Sequence, residues 1–191
     1  MDSDNLLNYC SGLVAELMKL YPTWEGKEQF KGTPGRLVRM YQDFCWEQER
    51  IEEELSKQFK VFENGYNEML VVKDISIWTL CPHHLLPCHL KVSIGYIPAG
   101  KVLGLSKFAR IAEILSKRPT MQEAYSTELA DLLMEKLQPK GVAVYVVGSH
   151  GCMTARGVRQ HSDVVTSVLR GSFLKEGPTR NEFLAVCREV K

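Results

Sequence analysis

No stretch of this sequence is apolar for long enough to cross a bilayer. The longest, such as Val142 to Val147, covers a fraction of the roughly 20 residues that a spanning helix needs. A basic start is also missing: Met1-Asp2-Ser3-Asp4 is acidic where a secretory leader carries positive charge. These two absences predict a cytoplasmic protein with no membrane partner. Charge of one sign is lacking as well. The 24 basic residues are balanced by 23 acidic ones, leaving +1, so no bulk field draws the chain to nucleic acid, and any anion must be gripped locally. Internal repeats and low-complexity tracts do not occur. The six cysteines do not call for disulfides, because 191 residues with 45% hydrophobic content can bury one sizeable core without them. Free thiols or a metal site are the better reading.

What is present organises into a single domain over residues 1–191, mainly helical through residue 60, with a core over 66–191. Leu6, Cys10, Leu13, Leu17 and Tyr21 recur at helical spacing and predict a helix over 5–21 with one buried stripe. Pro22 and Gly26 interrupt it. Thr33-Pro34 reads as an N-cap followed by proline at the first helical position, and the charged run Glu47 to Lys57 as a solvated helical face. Asn64-Gly65 marks a turn. Met69–Ile77, Lys91–Ile97, Gly141–Gly148 and part of Cys152–Leu169 read as strands; Ser106–Lys117, Thr120–Leu137 and Pro178–Glu189 read as helices. Strand pairs separated by a helix pair predict an α+β fold, with helices on one face of an antiparallel sheet.

Cys81-Pro82-His83-His84 sets a thiolate and an imidazole close enough to share a zinc ion, and Cys152, after the Gly141 strand, is the third candidate ligand. Three protein ligands leave one position open, as catalytic zinc sites do. Cys88 and His89 compete as ligands, and buried cysteines without any metal are the plain alternative. Cys10, Cys45 and Cys187 fall on apolar helical stripes and read as core. His83 and His150 each flank a proposed ligand and can move protons there, or can be ordinary core histidines.

Ser106 reads as the N-cap of a helix whose first turn carries Lys107 and Arg110, three apart on one face. Two cations beside free N–H groups make a phosphate site; the alternative is two solvated surface side chains. Thr120-Met121-Gln122-Glu123 fits a capping box, yet Glu123 could instead accept two N–H bonds from a guanine edge, and it cannot do both fully.

Read in order, these segments resemble the GTP cyclohydrolase I family. The matching pieces are Thr33-Pro34-Gly35-Arg36, Cys81 through Pro87, Ile94 through Pro98, Gly100 through Lys107, Gln122-Glu123, Gly141 through Val144, His150-Gly151-Cys152-Met153 and Arg156-Gly157-Val158. The resemblance covers about residues 33–185. It implies a tunnelling fold, a four-stranded antiparallel sheet backed by helices, with an N-terminal helical segment. It also implies a homo-oligomer, two stacked pentamers forming a decamer with active sites at subunit interfaces. Carried over, Cys81, His84 and Cys152 match the zinc ligands, and His83 and His150 the catalytic histidines. Gln122 and Glu123 match the guanine-recognition pair. Ser106, Lys107, Arg110, Arg156 and, from a neighbouring subunit, Arg36 match the triphosphate contacts.

The implied reaction converts GTP and water to formate and 7,8-dihydroneopterin triphosphate. Zinc makes water nucleophilic near neutral pH for attack at C8 of the guanine, His150 protonates N7, and His83 moves protons in the later ribose rearrangement. The sequence departs from the family at Pro82, where many members have glutamate, at Ser93, where histidine is frequent, and across Tyr21–Lys31. Two rival readings follow: a tunnelling-fold paralogue acting on another purine or pterin or stopping at a ring-opened intermediate, and a non-enzymatic module whose zinc takes a fourth ligand from Cys88 or His89.

Overall fold

A helix is well started where a side chain accepts its first free N–H groups. Asp2 does so for α1 (Ser3–Lys19), its Oδ1 accepting from the backbone of Asp4 at 3.0 Å and Asn5 at 3.2 Å. The computed structural model describes residues 2–21, 23 and 27–188; Met1, Pro22, Gly26 and Glu189 lie outside them. The chain divides into two compact units, Met1–Gln48 and Glu49–Lys191.

In the first unit, α1 is followed by α2 (Glu28–Lys31) and α3 (Thr33–Phe44). The buried stripe expected on α1 is only partly realised. Cys10 is buried, but Leu7, Leu13, Leu17 and Tyr21 are exposed. The covered line runs Leu6, Cys10, Val14, Met18, a strict i, i+4 row narrow enough for one neighbouring helix, α3, to cover. Gly32 rather than Thr33 caps α3, so Thr33 and Pro34 take its first two helical positions.

The charged run forms α4 (Gln48–Ser56), with Ile51 as its buried residue. The second unit continues with β1 (Val61–Glu63), β2 (Leu70–Leu80), β3 (Pro87–Ile97), β4 (Lys101–Leu103), α5 (Leu105–Leu115) and α6 (Gln122–Leu137). It ends with β5 (Gly141–His150), α7 (Gly151–Thr154), β6 (Val164–Gly171) and α8 (Pro178–Arg188). The main sheet has the order β2-β3-β5-β6, antiparallel throughout. Alternation does the sorting: Leu90, Val92, Ile94, Val142, Val144 and Val146 all point to one face, where α5 and α6 bury them against Phe108, Ile111, Leu115, Tyr125 and Leu129. The expected α+β architecture, a four-stranded antiparallel sheet backed by helices, is therefore the one observed. On the other face α8 lays Phe183 across Gly95, where a Cβ would meet the ring at 2.6 Å.

Four local expectations are corrected. The short β1–β4 ladder was not expected, because three-residue strands carry too little alternation to read. Cys152 lies in the helical turn α7, and β6 begins only at Val164. Gly104, not Ser106, caps α5, so Ser106 is its second helical residue. Met121 takes the cap position of α6 with no side-chain bond, while Thr120 Oγ1 turns to the Met121 carbonyl at 3.3 Å. The predicted capping box does not form, and Glu123 stays exposed on the first turn. Ser93 supports a bulge in the neighbouring strand. Its Oγ accepts at 3.2 Å from the backbone N–H of Asp74, which has a left-handed φ of 59° where the register of β2 shifts. No described helix is long and apolar enough to cross a membrane.

Register places the site. β2 and β3 pair up to Leu80 opposite Pro87, so residues 81–86 form the turn between them. β3 pairs with β5 up to Cys88 opposite His150. The turn that carries Cys81 and His84 thus lies beside the end of β5 and the helical turn carrying Cys152.

Candidate active site

The 81–86 turn closes on itself. The Cys81 N–H donates to the Leu86 carbonyl at 2.9 Å and the Leu85 N–H to the Cys81 carbonyl at 2.8 Å, with Leu85 in the left-handed region at φ 51°. This brings Cys81 Sγ to 3.7 Å from His84 Nδ1. Zinc–sulfur and zinc–nitrogen bonds of about 2.3 and 2.0 Å at a tetrahedral angle put their donor atoms about 3.5 Å apart. Donor atoms of Cys81, His84 and Cys152 all lie within 4.8 Å of one another. Two soft thiolates and an imidazole at this spacing fit zinc. Cys81 is buried, Cys152 half-buried and His84 exposed, so the group opens on one side.

Neither competitor joins it. Cys88 is buried, with Sγ 3.8 Å from the Leu86 carbonyl oxygen. His89 lies in the contact between its Nε2 and Ser76 Oγ at 2.7 Å, its ring 4.7 Å from that of exposed Trp78. Burial, then the charges of Cys152 and Cys81, push the Cys88 thiol up to about 11, which keeps it protonated and inert. The Cys152 thiol is also raised, by burial first and then by its hydrogen bond and charge interaction with Cys81, while Arg156 opposes. A dication is the partner that relieves two thiolates held together.

Beside this group opens a cleft of about 160 Å³, bordered by Cys81, His83, Gln122, Glu123, His150 and Cys152 among others. His83 Nδ1 is 3.8 Å from Cys81 Sγ. Burial pushes His150 below the ordinary imidazole value, with the Glu123 carboxylate pulling the other way. The base-recognition candidates part company here. Glu123 is exposed at the cleft, but the Gln122 side chain is 2% exposed and turned into the sheet. Its Oε1 sits 2.8 Å from His150 Nε2, and its Nε2 faces the Val164 carbonyl at 2.9 Å and Thr166 Oγ1 at 3.2 Å. Thr166 and Ser126 escaped the sequence reading, since nothing local ties residues so far apart to His150.

Gly148 makes room for this arrangement: a Cβ there would fall 2.0 Å from Gln122 Oε1 and 2.8 Å from Leu90 Cδ2. Gly148→Ala is expected to destabilise the protein by about 1–3 kcal/mol through overpacking, seen as a lowered thermal unfolding temperature. An unchanged unfolding temperature would show that the amide can move aside at no cost.

The anion candidates are spread out. Arg156 follows α7, with Nη1 2.8 Å from His84 Nε2. Ser106 and Arg110 are exposed on α5, and Lys107 donates to Gln58 Oε1 at 3.0 Å; none of the three borders the cleft. Arg36 belongs to the N-terminal unit, where its Nη2 donates to the Gln29 carbonyl and to Thr33 Oγ1, both at 2.7 Å.

Comparison with known proteins shows the family. The family described as GTP cyclohydrolase I matches residues 11–188. A protein named GTP cyclohydrolase 1 from Aquifex aeolicus is 46% identical over 165 residues, covering 86% of this chain and 87% of its own. One of the same name from Pelotomaculum thermopropionicum is 45% identical over 179 residues, 92% of each chain. Another, from Clostridium perfringens, is 45% identical over 152 residues, covering 78% of this chain and 80% of its own.

Proposed function

The chain belongs to the GTP cyclohydrolase I family, and on that premise we propose that it is a zinc enzyme converting GTP and water to formate and 7,8-dihydroneopterin triphosphate. One observation carries the reading: Cys81, His84 and Cys152 converge within 4.8 Å at the edge of a cleft that His83, His150 and Glu123 also border. Zinc bound there supplies Lewis acidity and a nucleophilic water at neutral pH. Cys81, His84 and Cys152 would hold the ion. Glu123, free of any capping bond, accepts N–H bonds from the guanine edge. His150 donates a proton to N7 so that C8 can be attacked, and His83 handles protons after ring opening. Arg156 is the cation next to the ligand set and meets the triphosphate as it leaves the cleft.

Ser106, Lys107 and Arg110 lie outside the cleft of their own chain. Their phosphate role suits a site completed by other copies, with Arg36 reaching it from a neighbouring subunit in a homo-oligomer of two stacked pentamers. Sedimentation of an active monomer would sink the shared site. The free thiols of the ligand set suit the reducing cytoplasm. The testing experiment is incubation with GTP and zinc, with and without a chelator. The expected result is formate together with a fluorescent oxidised pterin, both lost with chelator. Pro82, exposed at the cleft in place of the family's usual glutamate, is the one feature favouring a paralogue, which would release formate without pterin. The absence of both products with zinc bound overturns the reading.

A further inference from the structure

A glutamine amide has two chemically different ends, and the directions of its hydrogen bonds decide which end faces which neighbour. Gln122 Nε2 faces three acceptors: the Val164 carbonyl at 2.9 Å, Thr166 Oγ1 at 3.2 Å and the Val146 carbonyl at 3.3 Å. Two of these are carbonyls and cannot donate, so a flipped amide would set oxygen against oxygen. The hydroxyl directions follow. Ser126 Oγ gives its single proton to the Gln122 backbone carbonyl at 2.7 Å, so Thr166 is the donor in their 2.8 Å contact. The Thr166 lone pairs are then left for Gln122 Nε2. With the nitrogen placed, Oε1 is an acceptor 2.8 Å from His150 Nε2, and that ring atom carries the proton. Nδ1 makes no hydrogen bond among the described residues, so it is the ring nitrogen left for substrate.

Resting on the cyclohydrolase reading of the cleft, we propose that Gln122 is a positioning residue for His150 rather than a guanine contact. Its buried amide holds the imidazole with Nε2–H turned into the sheet and Nδ1 presented to the substrate. Nδ1, bare in the resting ring, takes a proton from water and passes it to N7, and the hydroxide left behind adds to C8; the Nε2–H bond to Gln122 stays intact throughout. Both ends of the amide are spent on protein partners drawn from β5 and β6, so turning it to a base would break that set. Orientation by an acceptor behind the imidazole is a general device for fixing which nitrogen reacts.

Gln122→Leu and Thr166→Val test this against the wild type, each first checked for zinc content and unfolding temperature. Gln122→Leu keeps the volume and removes the acceptor; kcat for formate release is expected to fall roughly 10–100-fold, with KM for GTP changed by less than about 2-fold. Thr166→Val leaves Gln122 in place but removes one partner of its amide, and should lower kcat in the same direction by a smaller factor. A raised KM with kcat intact in Gln122→Leu overturns the proposal, because the amide is then a base contact. A readout independent of GTP comes from ring-nitrogen spectra of protein labelled with ¹⁵N-histidine, the His150 signals being identified by their loss in His150→Asn. The wild type is expected to show the Nε2–H form and Gln122→Leu a mixture; Nδ1–H in the wild type overturns the proposal even if Gln122→Leu fails to fold. A wild type that shows Nε2–H but never consumes GTP removes the cyclohydrolase reading and leaves the positioning of His150 standing.

Discussion

Cys152→Ser is expected to yield a folded protein that keeps no stoichiometric zinc and turns over GTP about a thousand-fold more slowly, since the metal's charge stabilisation of the transition state is worth several kcal/mol. The substitution removes one of three donors and replaces a thiol with a hydroxyl that does not ionise at neutral pH. The sheet does not depend on it: Cys152 sits half-buried in the four-residue α7, beyond the end of β5. Metal analysis after gel filtration and chelator competition check the first half, and formate release checks the second. The raised Cys152 thiol adds a sign. Metal binding has to displace its proton, so uptake releases acid and affinity falls as pH is lowered. A Cys152→Ser protein with full zinc and full turnover would remove Cys152 from the centre.

His150→Asn should separate proton transfer from metal binding. Zinc content stays at the wild-type level, because His150 is not among the three clustered donors. Formate release falls roughly 10²–10⁴-fold, the usual contribution of a placed general acid. Asparagine keeps a polar group near Gln122 Oε1, which limits the structural disturbance. The measurement is single-turnover formate release, which isolates ring opening from the later ribose steps. An unchanged rate in that assay would assign N7 protonation elsewhere, with His83 the next candidate.

Much of this was legible without coordinates. The apolar runs over Lys91–Ile97 and Gly141–Gly148 announced strands, and strand pairs separated by a helix pair announced an antiparallel sheet backed by helices. The Cys81–His84 spacing announced a close pair of donor atoms, because a tight turn after a strand brings those positions together. What failed was local and had local causes. Thr120 and Glu123 fit a capping box, yet Met121 takes the cap because Thr120 is drawn toward the sheet, its N–H donating to the Leu80 carbonyl at 3.0 Å. The wide apolar stripe on α1 promised more burial than a single partner helix delivers.

By itself, the sequence determined the residue types that can bind zinc, most of the strands and helices around them, and the family they place the chain in. Those are matters of chemistry and short-range periodicity, which neighbouring residues encode. The tertiary structure alone decided that Cys152 meets Cys81 and His84 while Cys88 and His89 do not, because strand register carries Cys88 into the core and His89 to the opposite face. It also decided that the Gln122 amide lies against His150. That bond depends on acceptors from β5 and β6, and hydrogen-bond direction between distant strands has no signature along the chain.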